Sequence, residues 1–441
     1  MKKMFKMLSV MAFLLCAFLI PCTVSAETTE TSEKPAYTVL LLDISEGNNF
    51  SFEGEIIYTV ASATDQVKTA SANFSKAVLS VDVNHYIAVI AYDSTAETVI
   101  DFSSNKDEVV NAINSLDIGD DAPDMAEALE LADTLLSSVT DQDADKNVVI
   151  FTTGRTRSGD YTYSGKYDSS APGSNWYNTE TKVNLYAYAN EAYKKVAILH
   201  KYAKVYAIGL FDNWEDMPEK GQELVSFFKM FTEDLANPEE NFYAVYDEND
   251  IDSAFADVCN EIIDNSYTDV TYQGYYFDAV IWADKEEITE GTDVDSFDPN
   301  LLSTRGQIVT FLWRAMGKPE PKTTKCPFKD VNITSYYYDA VLWASEEDIT
   351  LGWTDDTFNP DGICTRGQIV TFLWRTLGEP GHLSDNHPFV DIHSYQYYYD
   401  AVLWAVENKV TDGVSVNRFA PENSATRAQI VTFMYRALAG K

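Results

Sequence analysis

The segment TRGQIVTFLWR occupies residues 365–375 and lies within a repeat that organises the C-terminal part of the chain. The same segment occurs 61 positions earlier, at 304–314, and the near-copy TRAQIVTFMYR occurs 61 positions later, at 426–436. A tryptophan, a glycine and a phenylalanine keep this spacing in every copy. Because self-similarity at a fixed period indicates a repeat architecture, the sequence predicts three units that pack together between about residue 267 and residue 441.

Each unit is predicted to form a helix, a loop of the form Gly-x-x-x-x-x-Phe-x-Pro, and a second helix. Threonine followed three residues later by glutamine is a capping box, which marks where the second helix begins. The capping pairs are Thr304 with Gln307, Thr365 with Gln368, and Thr426 with Gln429. Apolar residues then follow at i, i+3, i+4 and i+7, so each helix has an apolar face that one unit alone cannot bury.

These repeats closely resemble the S-layer homology module of bacterial surface proteins. The capping segments stand where that family has Thr-Arg-Ala-Glu, with glutamine replacing glutamate in every copy and glycine replacing alanine at Gly306 and Gly367. The resemblance implies an all-helical three-fold assembly with modules at 267–327, 328–388 and 389–441. It also implies that the modules bind a pyruvylated secondary cell-wall polysaccharide.

The polymer implied by the resemblance is anionic, so we expect its site to contain local positive charge. Arg305, Arg366 and Arg427 each follow an N-cap threonine, where the helix dipole and free amide groups also favour an anion. If these arginines serve binding alone, their replacement by alanine would release the protein from cell walls without unfolding it. The alternative is that they form structural ion pairs with Asp278, Asp339 and Asp400.

The capping threonines and glutamines complete the predicted polymer site together with three tryptophans. The tryptophans are Trp282, Trp343 and Trp404, which occupy equivalent positions in the first helices. Their rings would stack against sugar faces, or alternatively they pack inside the helical core.

Residues 37–265 show a different pattern, in which short apolar runs alternate with amphipathic stretches. The predicted strands are 37–43, 86–92, 148–152, 205–210 and 242–245, and the predicted helices include 126–136, 186–200 and 251–263. This alternation predicts an α/β fold with a doubly wound parallel sheet. The strand-end sequence Asp43-Ile44-Ser45-Glu46-Gly47 and the later strand that ends at Thr153-Gly154 resemble a von Willebrand factor type A domain.

In that family a metal ion is held by Asp-x-Ser-x-Ser, a distant threonine and a further aspartate. Here Asp43 and Ser45 match, but Gly47, Pro123 and Thr153 stand at the other ligand positions. Mg²⁺ requires several oxygen ligands in near-octahedral geometry, so we predict no metal site and interpret Asp43 and Ser45 as a degenerate remnant. Asp121 or Asp124 would be the substitutes if a metal were retained.

An insertion between Gly154 and Lys182 follows the strand whose end carries Thr153. It is rich in tyrosine, serine, glycine and asparagine, a composition typical of recognition loops. Two interpretations stay open: it is the partner-binding surface of the N-terminal domain, or it is an ordinary exposed insertion.

The N-terminus carries Lys2, Lys3 and Lys6, then an apolar run, then small residues ending at Ala26. This pattern predicts a signal peptide over 1–26, followed by a disordered leader over 27–36. No later stretch is predicted to cross a membrane. Three cysteines, Cys259, Cys326 and Cys364, follow the signal in no metal-binding spacing. The net charge of −37 argues against nucleic acid as a partner.

Catalytic motifs are not recognisable: there is no nucleophile elbow, no phosphate-binding glycine loop and no cysteine–histidine pair. We therefore predict a non-enzymatic protein without cofactors, secreted to the cell wall or S-layer of a Gram-positive-type bacterium. Its repeats would bind wall polysaccharide, and its N-terminal domain would bind an unidentified protein or surface ligand. The alternatives are a structural S-layer subunit and a wall-processing hydrolase.

Overall fold

The structure is a computed structural model that describes residues 34–45, 49–52, 55–59, 64–81, 84–117, 119, 123–153, 166, 185–211 and 219–439. The predicted signal peptide, most of the leader, Gly47, Asp121 and nearly all of the 154–182 insertion lie outside these residues. From Pro35 onward the chain forms one compact unit.

The N-terminal half contains eight strands and six helices among its described residues. The strands are β1 (Ala36–Asp43), β2 (Asn49–Phe52), β3 (Glu55–Thr59), β4 (His85–Tyr92), β5 (Ala96–Ser103), β6 (Asp145–Thr152), β7 (Lys204–Leu210) and β8 (Phe242–Val245). The helices are α1 (Thr64–Val81), α2 (Lys106–Asn114), α3 (Met125–Ser138), α4 (Leu185–Leu199), α5 (Glu219–Glu233) and α6 (Ile251–Ile262).

Six of the strands form one sheet in the order β5-β4-β1-β6-β7-β8, while β2 and β3 form a separate antiparallel pair. The predicted doubly wound sheet is confirmed, with one difference: β5 is an antiparallel edge strand. The physical reason is the short turn at 93–95, which allows a hairpin but not the crossover that a parallel neighbour needs. The sheet is therefore mixed.

Two apolar layers cover the sheet because successive strand residues point to opposite faces. Leu40 and Leu42 of β1 face a core that contains residues of α1, α2 and α6. Val39 and Leu41 of the same strand face a second core with residues of α3, α4 and α5. This arrangement leaves the carboxyl ends of the parallel strands as one edge, where Asp43 and Thr153 meet.

The C-terminal region is helical, as predicted. Its helices are α7 (Phe277–Lys285), α8 (Arg305–Ala315), α9 (Tyr338–Glu346), α10 (Arg366–Thr376), α11 (Tyr399–Glu407) and α12 (Arg427–Leu438). The second helix of each repeat packs on the first helix of the next: α8 on α9, α10 on α11, and α12 back on α7. Since the third repeat returns to the first, the three repeats close into a ring.

The ring and the N-terminal domain share one continuous apolar core, which extends from the face of the sheet covered by α1 and α6 into the repeats. Polar contacts reinforce this junction at Asp252 of α6. Its carboxylate accepts hydrogen bonds from Asn73 Nδ2 at 3.2 Å, Tyr272 OH at 2.7 Å and Gln273 Nε2 at 2.8 Å. The junction is therefore a packed interface between the sheet domain and the helical ring.

Candidate functional site

The predicted capping boxes are present at the start of α8, α10 and α12. In α8, Thr304 Oγ1 accepts a hydrogen bond from the Gln307 amide at 3.4 Å, and Gln307 Oε1 accepts one from the Thr304 amide at 2.9 Å. The same reciprocal pairs occur at Thr365 with Gln368 and at Thr426 with Gln429. These side chains fix the helix starts, which aligns the arginine that follows each threonine.

Those arginines are buried, with only 2–3% of their surface exposed. Each Nε donates to a phenylalanine carbonyl in a neighbouring repeat: Arg305 to Phe358 at 2.9 Å, Arg366 to Phe419 at 3.0 Å, and Arg427 to Phe297 at 2.8 Å. Each arginine therefore connects its own repeat to the loop of the next one around the ring.

Aromatic rings enclose each guanidinium group at 4.7–5.4 Å from its central carbon. The ring pairs are Phe358 and Phe372 for Arg305, Phe419 and Phe433 for Arg366, and Phe297 and Phe311 for Arg427. Burial lowers the pKa of all three arginines. Carbonyl oxygens and ring faces partly replace the water that each cation has lost.

The arginines therefore lie inside the ring, and their role in binding the polymer stays a prediction. The structural ion pairs considered as the alternative are wrong, because among the described residues the guanidinium groups contact carbonyls, hydroxyls and rings instead of Asp278, Asp339 or Asp400. The physical reason is ring closure, which places a neighbouring loop over the helix start and covers the arginine. Arg427 nevertheless contributes to the lining of a surface cleft.

This first cleft has a volume of about 310 Å³ and is built from all three repeats. Arg314 and Gln307 come from the first repeat, Tyr336 from the second and Arg427 from the third. The loop after α7 forms one wall. In that loop Gly291 has φ +76°, and a Cβ there would lie 2.6 Å from the Ser296 carbonyl oxygen, so only glycine fits the turn.

Two further clefts are inferred from the 61-residue repeat, which places the equivalent residues at the two other junctions of the ring. Tyr397 interacts with Arg305 and Arg375 in the second cleft, and burial raises its pKa to about 12 while both arginines lower it. Tyr275 interacts with Arg366 and Arg436 in the third cleft, where burial raises its pKa and the arginines lower it. Each cleft thus joins one tyrosine and two arginines.

The predicted tryptophans do not line the clefts. Trp343 and Trp404 are 7% and 2% exposed and belong to the ring core, so their prediction as sugar-stacking residues is wrong. Trp282 is partly buried against that core and lies 5.7 Å from the ring of Tyr435. The first helices turn these side chains inward because the apolar face of each helix is the one that the neighbouring repeat covers.

The aromatic residues at the cleft rims are tyrosines that the sequence reasoning missed. Tyr275, Tyr336 and Tyr397 are 59–63% exposed. The partner arginines Arg314, Arg375 and Arg436 were missed as well. Both sets keep the 61-residue spacing, so the repeat itself contained the signal, but their convergence across repeats depends on ring closure.

At the edge of the sheet, the Asp43 carboxylate is occupied by the protein itself. Its Oδ1 accepts from Ser45 N at 3.1 Å and Ser45 Oγ at 2.6 Å, and its Oδ2 accepts from Thr153 N at 3.1 Å and Thr153 Oγ1 at 3.0 Å. Asp124 is used as the N-cap of α3. These residues do not fit a metal site, because the only matching carboxylate already accepts four hydrogen bonds and a threonine replaces the second.

No group of three or more histidine, cysteine, aspartate or glutamate side chains among the described residues is arranged to hold a metal ion. Cys259, Cys326 and Cys364 are free thiols, and burial raises the pKa of Cys364 to about 12. Within the same part of the chain, no helix has the length and apolar character required to cross a bilayer.

Comparison with known families gives two matches. Residues 38–155 match the von Willebrand factor type A domain, and residues 327–370 and 388–431 match the S-layer homology domain. The first repeat lies outside the matched residues, although its helices and capping box have the same geometry as those of the other two.

Curated relatives include an endoglucanase of Bacillus sp. (strain KSM-635), which is 30% identical over 118 residues, or 27% of this chain and 12% of that protein. The surface-layer 125 kDa protein of Lysinibacillus sphaericus is 28% identical over 26% of this chain and 10% of its own length. The cellulosome-anchoring protein of Acetivibrio thermocellus is 24% identical over 32% of this chain and 33% of its own length. The chain thus matches between a tenth and a third of the length of these relatives.

Similar solved structures include the von Willebrand factor domain of the type V pili tip protein Mfa5 from Porphyromonas gingivalis. It has 15% identity and a TM-score of 0.39 over 52% of this chain and 95% of that one. The pilus adhesin SpaC from Lactobacillus rhamnosus GG has 15% identity and a TM-score of 0.38 over 53% of this chain and 30% of that one. From the two family models, the chain is similar to the von Willebrand factor type A domain over residues 38–155 and to the S-layer homology domain over residues 327–370 and 388–431.

Proposed function

We propose that the helical ring anchors this protein to the cell wall of a Gram-positive-type bacterium by binding an acidic secondary wall polysaccharide in its clefts. The N-terminal domain is then presented for binding a protein or surface ligand, without catalysis. The observation that carries the proposal is the composition of the clefts, each of which joins an exposed tyrosine to two arginines from two other repeats.

The positive charge of the arginines supports an acidic ligand at these clefts. The chain has a net charge of −37, so long-range electrostatics repels an anionic polymer. Binding must therefore come from positive charge at short range. An arginine fork binds a carboxylate through two parallel hydrogen bonds, and a neighbouring tyrosine ring offers an apolar face to a sugar.

The experiment that tests this proposal measures co-sedimentation of the purified chain with isolated bacterial walls, intact or stripped of their secondary polysaccharide. We expect binding to intact walls only. Because the rim tyrosines are exposed, the triple variant Tyr275→Ala, Tyr336→Ala, Tyr397→Ala should remain folded and bind at least about ten-fold more weakly, equivalent to about 1.4 kcal/mol or more.

The matched control is Tyr395→Ala, which removes another tyrosine, 83% exposed and stacked on His393. This variant should bind walls like the unmodified chain. Equal binding to stripped and intact walls, or undiminished binding by the folded triple variant, would remove the clefts as the anchoring site.

Ligand binding by the N-terminal domain is proposed from its resemblance to von Willebrand factor type A domains. The test is a pull-down in which the full chain, including residues 37–265, is the bait. It is compared with a variant of the full chain in which residues 154–182 are replaced by a short Gly-Ser linker. Capture that depends on the insertion would assign it as the recognition surface, and unchanged capture by the folded deletion variant would place the ligand elsewhere.

A further inference from the structure

The three clefts are equivalent in backbone but not in the side chains of their loops. The residues on either side of the loop glycine that all three repeats share are Glu290 and Thr292 in the first cleft. The equivalent residues are Leu351 and Trp353 in the second cleft, and Asp412 and Val414 in the third. The second cleft is therefore the one whose loop carries no acid at this position and presents a large aromatic ring.

In the first cleft, Glu290 already forms an ion pair with Arg314, an arginine that a ligand would need. Arg314 NH2 lies 3.3 Å from Glu290 Oε1, while its NH1 donates to the Ile288 carbonyl at 3.3 Å. Leu351 replaces this glutamate in the second cleft and is 67% exposed. At the position before the loop glycine, an anion therefore meets a carboxylate in the first cleft and a leucine in the second.

The buried arginine beneath the second cleft also differs from its two counterparts. Arg366 NH2 and Arg427 NH2 contact the hydroxyl oxygens of Thr411 at 3.4 Å and Thr289 at 3.2 Å. Arg305 is 97% buried, and its NH2 has no hydrogen-bond partner among the described residues. A buried donor of a charged group that lacks an acceptor is costly, so this position favours an incoming oxygen anion.

A second unsatisfied donor lies in the same cleft. Arg375 Nε is buried without a hydrogen-bond partner among the described residues, and its nearest carboxylate is that of Glu379, 3.8 Å away. Arg305 NH2 and Arg375 Nε are the two nitrogen atoms with this property in the described part of the chain. Both arginines lower the pKa of Tyr397, so their charges lie in the neighbourhood of its ring.

Aromatic side chains provide the remaining walls. The indole of Trp353 is 59% exposed and lies 5.8 Å from the central carbon of the Arg305 guanidinium. Tyr397 is also 59% exposed. A sugar ring that carries a carboxylate can therefore stack on aromatic surface while its charge reaches the arginines, a combination that the other two loops do not offer.

We propose that the second cleft, defined by Arg305, Leu351, Trp353, Arg375 and Tyr397, is the high-affinity site for an acidic sugar residue, and that the ring binds one such residue tightly per chain. The first and third clefts, whose loops carry Glu290 and Asp412, bind it weakly. This inference rests on the proposed function, because it selects one of the three clefts as the principal contact with the wall polymer.

The repeat allows a test in which side chains are exchanged between equivalent positions. The variant Leu351→Glu with Trp353→Thr gives the second cleft the loop residues of the first. Its matched control is Glu290→Leu with Thr292→Trp, which makes the reverse exchange in the first cleft. Leu351 and Trp353 are exposed and the loop backbones are equivalent, so both variants should keep the melting temperature of the unmodified chain.

The assay is calorimetric titration of each purified full-length chain with soluble polysaccharide released from bacterial walls, and with the same polysaccharide after reduction of its carboxylates to alcohols. We expect one tight class of site per chain in the unmodified protein, loss of at least ten-fold in affinity for the second-cleft exchange, and an undiminished tight site with stronger first-cleft binding for the reverse exchange. The reduced polysaccharide should bind like the second-cleft variant.

Equal affinity of the second-cleft exchange and the unmodified chain would overturn this inference while leaving wall anchoring intact. If the double variant has a lower melting temperature, the single variant Leu351→Glu decides the matter, because it adds the rim carboxylate and keeps the indole. Absence of binding by the unmodified chain would instead reject the proposed function itself.

Discussion

Replacement of Arg427 by alanine should destabilise the protein, because this side chain closes the ring between the third repeat and the first. Its Nε donates to the Phe297 carbonyl at 2.8 Å, its NH2 contacts Thr289 Oγ1 at 3.2 Å, and the Phe297 and Phe311 rings enclose it. Alanine would remove both contacts, leave the buried Phe297 carbonyl without its donor, and open a cavity between two repeats.

The expected magnitude follows from these contacts. A hydrogen bond from a charged donor contributes about 1.5–3 kcal/mol, and a desolvated cation–π contact adds about 2 kcal/mol. Since such contributions overlap, we expect the free energy of unfolding to fall by about 3–5 kcal/mol. For a compact unit of about 400 residues, with an unfolding entropy of about 2.1 cal/mol/K per residue, 3 kcal/mol corresponds to a decrease in melting temperature of about 3–4 °C.

The measurement is denaturant unfolding followed by circular dichroism at helical wavelengths, with thermal melts of the same samples. Arg427→Lys should fall between alanine and arginine, because an ammonium keeps the charge but cannot reproduce the guanidinium fork. The control is Arg418→Ala, since Arg418 has a side chain that is 64% exposed and lies 3.8 Å from Asp391. It should change the free energy of unfolding by less than about 0.5 kcal/mol.

A free energy of unfolding for Arg427→Ala within about 1 kcal/mol of the unmodified chain would contradict this role of Arg427, since that difference is smaller than one charge-assisted hydrogen bond. A stable Arg427→Ala variant that no longer sediments with cell walls would instead support the original expectation, in which the arginine serves the polymer alone.

Three further predictions concern the N-terminal domain and its junction with the ring. Calorimetry with Mg²⁺ or Mn²⁺ should show no saturable heat, because Asp43 is occupied by Ser45 and Thr153. Asp252→Ala should lower the free energy of unfolding by about 1.5–3 kcal/mol, since it removes a charged acceptor from the junction. Asp278→Asn should stabilise the protein at pH 7, because burial raises the pKa of this carboxyl and so disfavours its charged form in the folded state. The gain should be full above the folded-state pKa and should vanish as the pH falls below the unfolded value of about 3.9.

Each of these predictions has an outcome that contradicts it. A micromolar metal-binding heat that disappears in Asp43→Ala would show that the sheet edge holds a metal ion. Unchanged denaturant unfolding of Asp252→Ala would show that the apolar core alone holds the junction. A stability difference for Asp278→Asn that grows as the pH falls would reverse the sign derived from burial.

Local patterns determined much of the fold. The 61-residue period, the capping boxes and the apolar face after each box predicted the helices of the ring, because a helix start depends on residues three or four positions apart. The five predicted strands also appear in the sheet, since buried parallel strands are short continuous apolar runs. The antiparallel edge strand β5 was missed because none of its residues is fully buried and it lacks such a run.

Ring closure decided what the sequence could not. Arg427 bonds the first repeat 130 and 138 positions earlier in the chain, and its exposure depends on a loop that only the closed ring brings over it. The same closure turns Trp343 and Trp404 into the core and brings Tyr397, Arg305 and Arg375 to one cleft. Because of the periodicity, identical residues in the three repeats received the same predicted role. The burial and the contacts of each residue depend on the neighbouring repeat, however, and the repeats differ in side chains such as Leu351 and Glu290.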